Sequence, residues 1–215
     1  MKNKQTKNIF LIIGCILATP IIFIMTVIAF YSITNPTISL KPLNKPISVD
    51  IVSAKQIETH LNSEIEQIDK LKKYNLTIGS IDMHIDSENR GEVTVIFVEK
   101  DNVNSKVIFA HLDTCKGIFY GFEDYGRESK LYPGIIRLKE WKIDSTDAIR
   151  ISEEFFSDNK DFRYDEIWLI SSSYYMGSEE TWNVYLTDKE NNIRYEIRMN
   201  PYSGEVFFHN INEYE

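Results

Sequence analysis

Asp82, His84 and Asp86, in the stretch "DMHID", are the first residues to question for chemistry. Spaced i, i+2, i+4, they share one face of a strand, and such a face could approach a cation. Three neighbours on a flat strand do not converge on one ion, however, as a tetrahedral site demands. The intervening Ile81, Met83 and Ile85 are apolar, so the trio reads as the wet side of a strand and no metal site is predicted. The other histidines, His60, His111 and His209, are isolated in sequence. Cys115 is the one cysteine outside the N-terminal apolar segment, and nothing pairs it with a histidine and an orienting acid. Nucleophile-elbow, P-loop and dinucleotide fingerprints are absent. The 32 acids offer no pair that spacing alone singles out as catalytic. A non-enzyme without cofactor is the expectation.

The stretch "IRYEIRMNPYSGEV", residues 193–206, raises a different question, because its layout occurs twice. An alternating strand runs into Asn200, then Pro-Tyr-Ser, then Gly204 and a new strand. At an offset of 87 residues "KVIFAHLDTCKGIF" does the same, with Asp113 and Gly117 at the matching places. Thr94 also falls on Thr181 and Asp101 on Asp188. Asp or Asn at a strand end can accept from the backbone two residues on, forming an Asx-turn. Glycine supplies the positive φ where the chain reverses. These four residues are assigned structural roles, and Gly204→Val is expected to unfold the second of two repeated units.

The repeat orders the whole chain. Each half opens with a capped helix: "SAKQ" starts one at Ser53, with apolar positions at Ile57, Leu61, Ile65, Ile68 and Leu71, and "DSTDAIRISEEFF" makes the other, with Ala148, Ile151 and Phe155 on one face. Alternating strands follow at 76–86, 92–100, 106–113 and 117–122, and again at 166–176, 181–188, 193–200 and 205–210. The predicted class is α+β, two tandem units of one helix laid on an antiparallel sheet. In the second unit Arg194, Glu196 and Arg198 point away from the helix. Those positions match Val107, Phe109 and His111 in the first unit, and Asn183 and Tyr185 on the neighbouring strand match Ile96 and Val98. The first unit's outward face therefore carries an apolar set, Ile96, Val98, Val107 and Phe109. Such a face is covered by the connector (Ile135, Ile136, Leu138, Trp141) or by the second unit, or else it is a docking face for another protein.

Before the repeats comes a 25-residue run without charge, Ile9 to Ile33, long enough to span a bilayer as a helix. Lys2, Lys4 and Lys7 precede it, which places the N-terminus in the cytoplasm and the rest outside. Lipidation at Cys15 and cleavage near Ala29 or Ser32 are the alternatives to an uncleaved signal-anchor. The predicted organisation is a basic tail (1–8), a transmembrane anchor (9–33), a proline-containing stalk (34–49), a first unit (50–122), a connector (123–142) and a second unit (143–215). Three of the 24 basic residues precede position 35, leaving 21 against all 32 acids, a net charge of −11. That excess argues against nucleic-acid partners.

The strand–Asx–Gly–strand motif resembles that of the PepSY-like family, small extracytoplasmic domains with a cystatin-like helix-on-sheet fold. "MNPYSGEV" fits its pattern well and "LDTCKGIF" loosely, and "WNVYLTDKENNIRYEI" looks like the family's Trp-led hairpin. Anchor plus two units is similar to membrane-anchored regulators of cell-wall elongation in Gram-positive bacteria. The resemblance implies a cell-membrane protein that binds and regulates another envelope protein, a cell-wall synthase or a secreted peptidase. A surface sensor or carrier holding a small ligand between the units is the alternative.

Overall fold

The structure, a computed structural model, describes residues 40–47, 53–100, 106–126, 134–172 and 180–213. The expected anchor, 9–33, lies outside them, as do parts of the stalk and connector. Among the described residues no helix is long and apolar enough to cross a membrane. Residues 38–215 form one compact unit.

Its frame is a nine-stranded antiparallel sheet in an α+β fold. The strands are β1 (Lys45–Pro46), β2 (Leu76–Asp86), β3 (Gly91–Glu99), β4 (Val107–Asp113), β5 (Ile118–Gly126), β6 (Glu166–Ser172), β7 (Thr181–Asp188), β8 (Ile193–Met199) and β9 (Val206–Glu213), in the spatial order β1-β5-β4-β3-β2-β6-β7-β8-β9. Period-two alternation drives most of them. Ile81, Met83, Ile85, Val93, Val95, Phe97, Val184, Leu186, Tyr195, Ile197 and Met199 all face one side and are buried there. The two repeats do not stack face on face. Their first strands, β2 and β6, pair antiparallel with Met83 opposite Leu169 and Ile85 opposite Ile167, so one sheet runs through both.

The helices lie on the inner, buried side. Helix α1 (Ala54–Ile65) starts at Ser53, whose Oγ accepts from the Gln56 N–H, and buries Ile57, Leu61 and Ile65. The stripe predicted to reach Leu71 in one helix is broken. Ile68 is extended (φ −108°, ψ 101°) and begins a four-residue helix α2 (Asp69–Lys72), which still buries Leu71. Helix α3 (Ser145–Phe156) corrects the predicted face by about one position. Ala148, Ile149, Ser152 and Phe156 are buried, Ile151 is half-buried and Phe155 is exposed. Ser152 tolerates burial because its hydroxyl donates to the Ala148 carbonyl.

The helix N-termini meet. Ser53 Oγ donates to Asp144 Oδ2 (2.6 Å), the N–H groups of Lys55 and Ser145 donate to Asp144 Oδ1, and the Ala54 N–H donates to Ser145 Oγ (2.7 Å). One carboxylate thus serves two sets of orphan amides and two positive helix ends.

The connector joins the inner core. The Ile136 N–H donates to the Ile78 carbonyl, and a 3-10 turn at Leu138–Glu140 leads to Trp141, stacked edge-to-face on Trp182 at 4.9 Å. Ile136, Leu138 and Trp141 are buried among the inward residues, not over the apolar outer positions as one expectation had it. Glu180 holds this corner together. Its carboxylate, on a residue 8% exposed, accepts from the Arg137 N–H, Arg137 Nε (2.8 Å), the Trp141 indole and the Tyr202 hydroxyl (2.8 Å).

Candidate functional site

Asn200 makes the expected bond to the backbone two residues on, whereas the Asp113 carboxylate reaches the backbone three residues on. Asn200 Oδ1 accepts from the N–H groups of Tyr202 (2.8 Å) and Ser203 (3.2 Å), and Gly204 has φ +79°. Asp113 accepts from the Lys116 N–H (2.9 Å), the Lys116 ammonium (2.9 Å) and the Tyr120 hydroxyl (2.8 Å), and Gly117 has φ +62°. Hydrogen bonds from Lys116, then from Tyr120, hold the Asp113 carboxyl down at about 2. The glycines differ in their surroundings. A Cβ at Gly117 meets nothing within 4 Å, whereas one at Gly204 would sit 3.1 Å from Ile143 Cδ1. Gly117→Ala is therefore expected to cost about 1–2 kcal/mol of backbone strain alone. Gly204→Val should cost more, through strain and overpacking together. Because the repeats share a sheet, Gly204→Val is expected to shift one melting transition of the whole 38–215 unit. A thermal melt showing two transitions would contradict this.

The outer face of the sheet, away from the helices, carries the predicted docking residues in two cross-strand pairs, Ile96 opposite Phe109 and Val98 opposite Val107. The four are together as expected, yet they are not equally available. Val98 and Val107 are buried outside the inner core cluster, and Ile96 and Phe109 are half-buried. Phe109 stacks on His111, which lies 3.3 Å from Thr94 Oγ1.

A second patch on the same face was not foreseen. Trp168 on β6 is 37% exposed and lies against Tyr185 of β7, ring centroids 5.3 Å apart. Its indole donates to Asp82 Oδ1 at 2.7 Å across the β2–β6 join. Burial raises the Asp82 carboxyl above its ordinary range, against the opposing pull of that indole and of His84. Farther along, Arg198 pairs with Glu196 (2.7 Å) and lies over the Phe208 ring, 4.5 Å from its centroid. The missing signal was the join itself: Trp168 and Asp82 are 86 residues apart and meet only because two first strands pair.

The candidate chemical residues are dispersed. Asp82 bonds Trp168, His84 pairs with Glu166, and Asp86 closes the β2–β3 turn with Arg90. His60 sits edge-on to Phe119 and His209 against Phe155. Cys115 is a free, exposed thiol in its turn.

No family model and no curated protein matches the chain. A solved structure, that of a candidate lipoprotein from Clostridium difficile 630, is similar at 12% identity with a TM-score of 0.49, over 71% of this chain and 92% of that one.

Proposed function

We propose that the chain is a membrane-anchored, extracytoplasmic protein that binds another envelope protein and regulates it without catalysis of its own. The observation that carries the proposal is the outer sheet face. Among the described residues the helices pack on the other side, leaving Trp168 on Tyr185 solvent-accessible on the same face as the half-buried Phe109 and Ile96. Exposed Trp and Tyr within a polar surround are the usual anchors of protein interfaces. The uncharged run 9–33 supports the anchor, and the recurring Asx–Gly turn supports a PepSY-like reading of both units. A cell-wall synthase or a secreted peptidase is the partner class we favour from that resemblance.

A small-ligand carrier would need an enclosed apolar cavity. The groove beside the outer face, lined by residues such as Leu40, His111, Tyr120 and Phe122, has a volume of about 400 Å³ and opens to solvent. It suits a docked side chain better than an engulfed ligand.

A photo-reactive phenylalanine in place of Trp168, in the membrane-inserted full chain, tests the reading. One discrete adduct with an envelope protein, reduced by Tyr185→Ala, is expected. Adducts confined to the chain itself, or none, would overturn it.

A further inference from the structure

The β2–β6 join relates the two repeats by an approximate two-fold axis, with β3, β4 and β5 following on one side and β7, β8 and β9 on the other. Strand β9 is therefore the counterpart of β5. The two edges differ in one respect. The outer edge of β5 is occupied by the segment 40–47, with Lys45 opposite Phe119 and Pro46 opposite Ile118. The Leu43 N–H donates to the Tyr120 carbonyl (2.8 Å) and the Ile47 N–H to the Gly117 carbonyl (2.9 Å). Leu40, Leu43 and Ile47 pack against the core, and the Lys45 ammonium reaches Glu64 of α1.

At β9 nothing among the described residues takes that place, and the strand ends the sheet. Apolar groups lie open there. Phe207 and Ile211 are each 49% exposed and Phe155 of α3 is 42% exposed, with His209 against the Phe155 ring at 4.9 Å. His209 and Ile211 share the inward side of β9, because Ile211 pairs with Tyr195 and His209 with Ile197, and Phe207 stands at the register shift between the Arg198 and Met199 pairs. Exposed acids stand at both ends of the strand, Glu205 and Glu213. An edge strand with apolar side chains invites pairing with another chain, and proteins ordinarily blunt such edges. At β5 this chain blunts it with an extended segment of its own.

We propose that the outer edge of β9 is a strand-addition site for an extended segment of a partner protein, one that alternates apolar with polar residues and carries lysine or arginine. Main-chain bonds to β9 would supply affinity. Apolar side chains would cover Phe155, Phe207 and Ile211, as Leu43 and Ile47 cover their own side, and the cations would meet Glu205 and Glu213. The inference concerns a different edge from the Trp168 face and stands without it.

The probe is a fluorescent peptide copying residues 39–48, "SLKPLNKPIS", titrated against the full chain in detergent micelles. Saturable binding is expected, with slowed amide exchange over residues 206–213. Phe207→Glu with Ile211→Glu should weaken it about tenfold or more, as for two interface anchors. A peptide with both lysines changed to glutamate should weaken comparably, and Trp168→Ala should leave binding unchanged. Both β9 side chains are exposed, so circular dichroism should show the double variant folded. The proposal is overturned by absence of saturable binding, by binding that survives the double variant, or by protection at 118–126 instead. Concentration-dependent protection of 206–213 without peptide would make the occupant a second copy, which also overturns it.

Discussion

Glu180→Ala is expected to destabilise the 38–215 unit by about 2–6 kcal/mol, because the buried Trp141 indole and the half-buried Tyr202 hydroxyl each lose their acceptor at about 1–3 kcal/mol. Such a loss is a large share of the stability of ordinary domains, about 5–15 kcal/mol. The cause is the four-fold coordination of one carboxylate by Arg137, Trp141 and Tyr202. Those donors belong to the connector and to the β8–β9 turn, so removing the acceptor orphans polar groups on two elements at once. Burial by itself would raise the Glu180 carboxyl, but the hydrogen bonds from Arg137, Trp141 and Tyr202 outweigh it and the group lies below its ordinary value of 4.5. A depressed carboxylate contributes stability that is full above its unfolded pKa and is lost as pH falls through the folded one. Wild-type melting temperature should therefore fall on acidification below about pH 4.5, and Glu180→Gln should flatten part of that slope. Equal slopes in both proteins would remove Glu180 from this role.

Gly91→Ala is expected to be comparably damaging for a different reason. A Cβ at Gly91 would lie 2.0 Å from the His84 carbonyl oxygen and 2.8 Å from Ile85 Cα. Both obstacles are backbone of the paired strand, which cannot swing aside as a flexible side chain would. Gly91 opposes Ile85 at the closed end of the β2–β3 hairpin, and its N–H donates to the Thr114 hydroxyl, so relief must open pairing on two sides. A loss of about 3 kcal/mol, the upper end for ordinary overpacking, should lower the melting temperature by about 6–12 °C. An unchanged melting curve would mean that the hairpin register is wrong. Gly117→Ala, with open space around its Cβ, is the natural control.

Local pattern made much of this fold legible. The limits of β2 and β7 coincide with their alternating stretches, because a period of two fixes which residues can be buried together. The Asn200–Gly204 turn was equally readable, since its Asx bonds are confined to five residues, whereas Asp113 also draws on Tyr120 beyond its turn. Helix α3 was harder. Its buried row includes Ser145 and Ser152, which read as polar in sequence; Ser152 bonds the Ala148 carbonyl and Ser145 accepts from Ala54 of the other helix, so the apolar stripe seemed to run through Phe155. The β2–β6 join left no local mark, because strand partners 80–92 residues apart are chosen by the packing of both halves. With it went the Trp168–Asp82 contact, and with that the more exposed part of the outer face. Of the four docking residues anticipated there, side-chain direction was readable from alternation. The burial of Val98 and Val107 was not, since alternation sets a side chain's direction and not its exposure.

The join has a consequence for how the chain behaves on dilution. Two like strands pairing antiparallel about a two-fold axis make the contact of an isologous homodimer, closed here within one polypeptide. Such a dimer dissociates when dilute, whereas linked halves see each other at an effective concentration on the order of millimolar at any dilution. The Asp144 cap binds the halves further, because the start of α1 draws its acceptors from Asp144 and Ser145 of the other half. Two separate halves at low concentration could not rely on meeting; this chain carries both within itself.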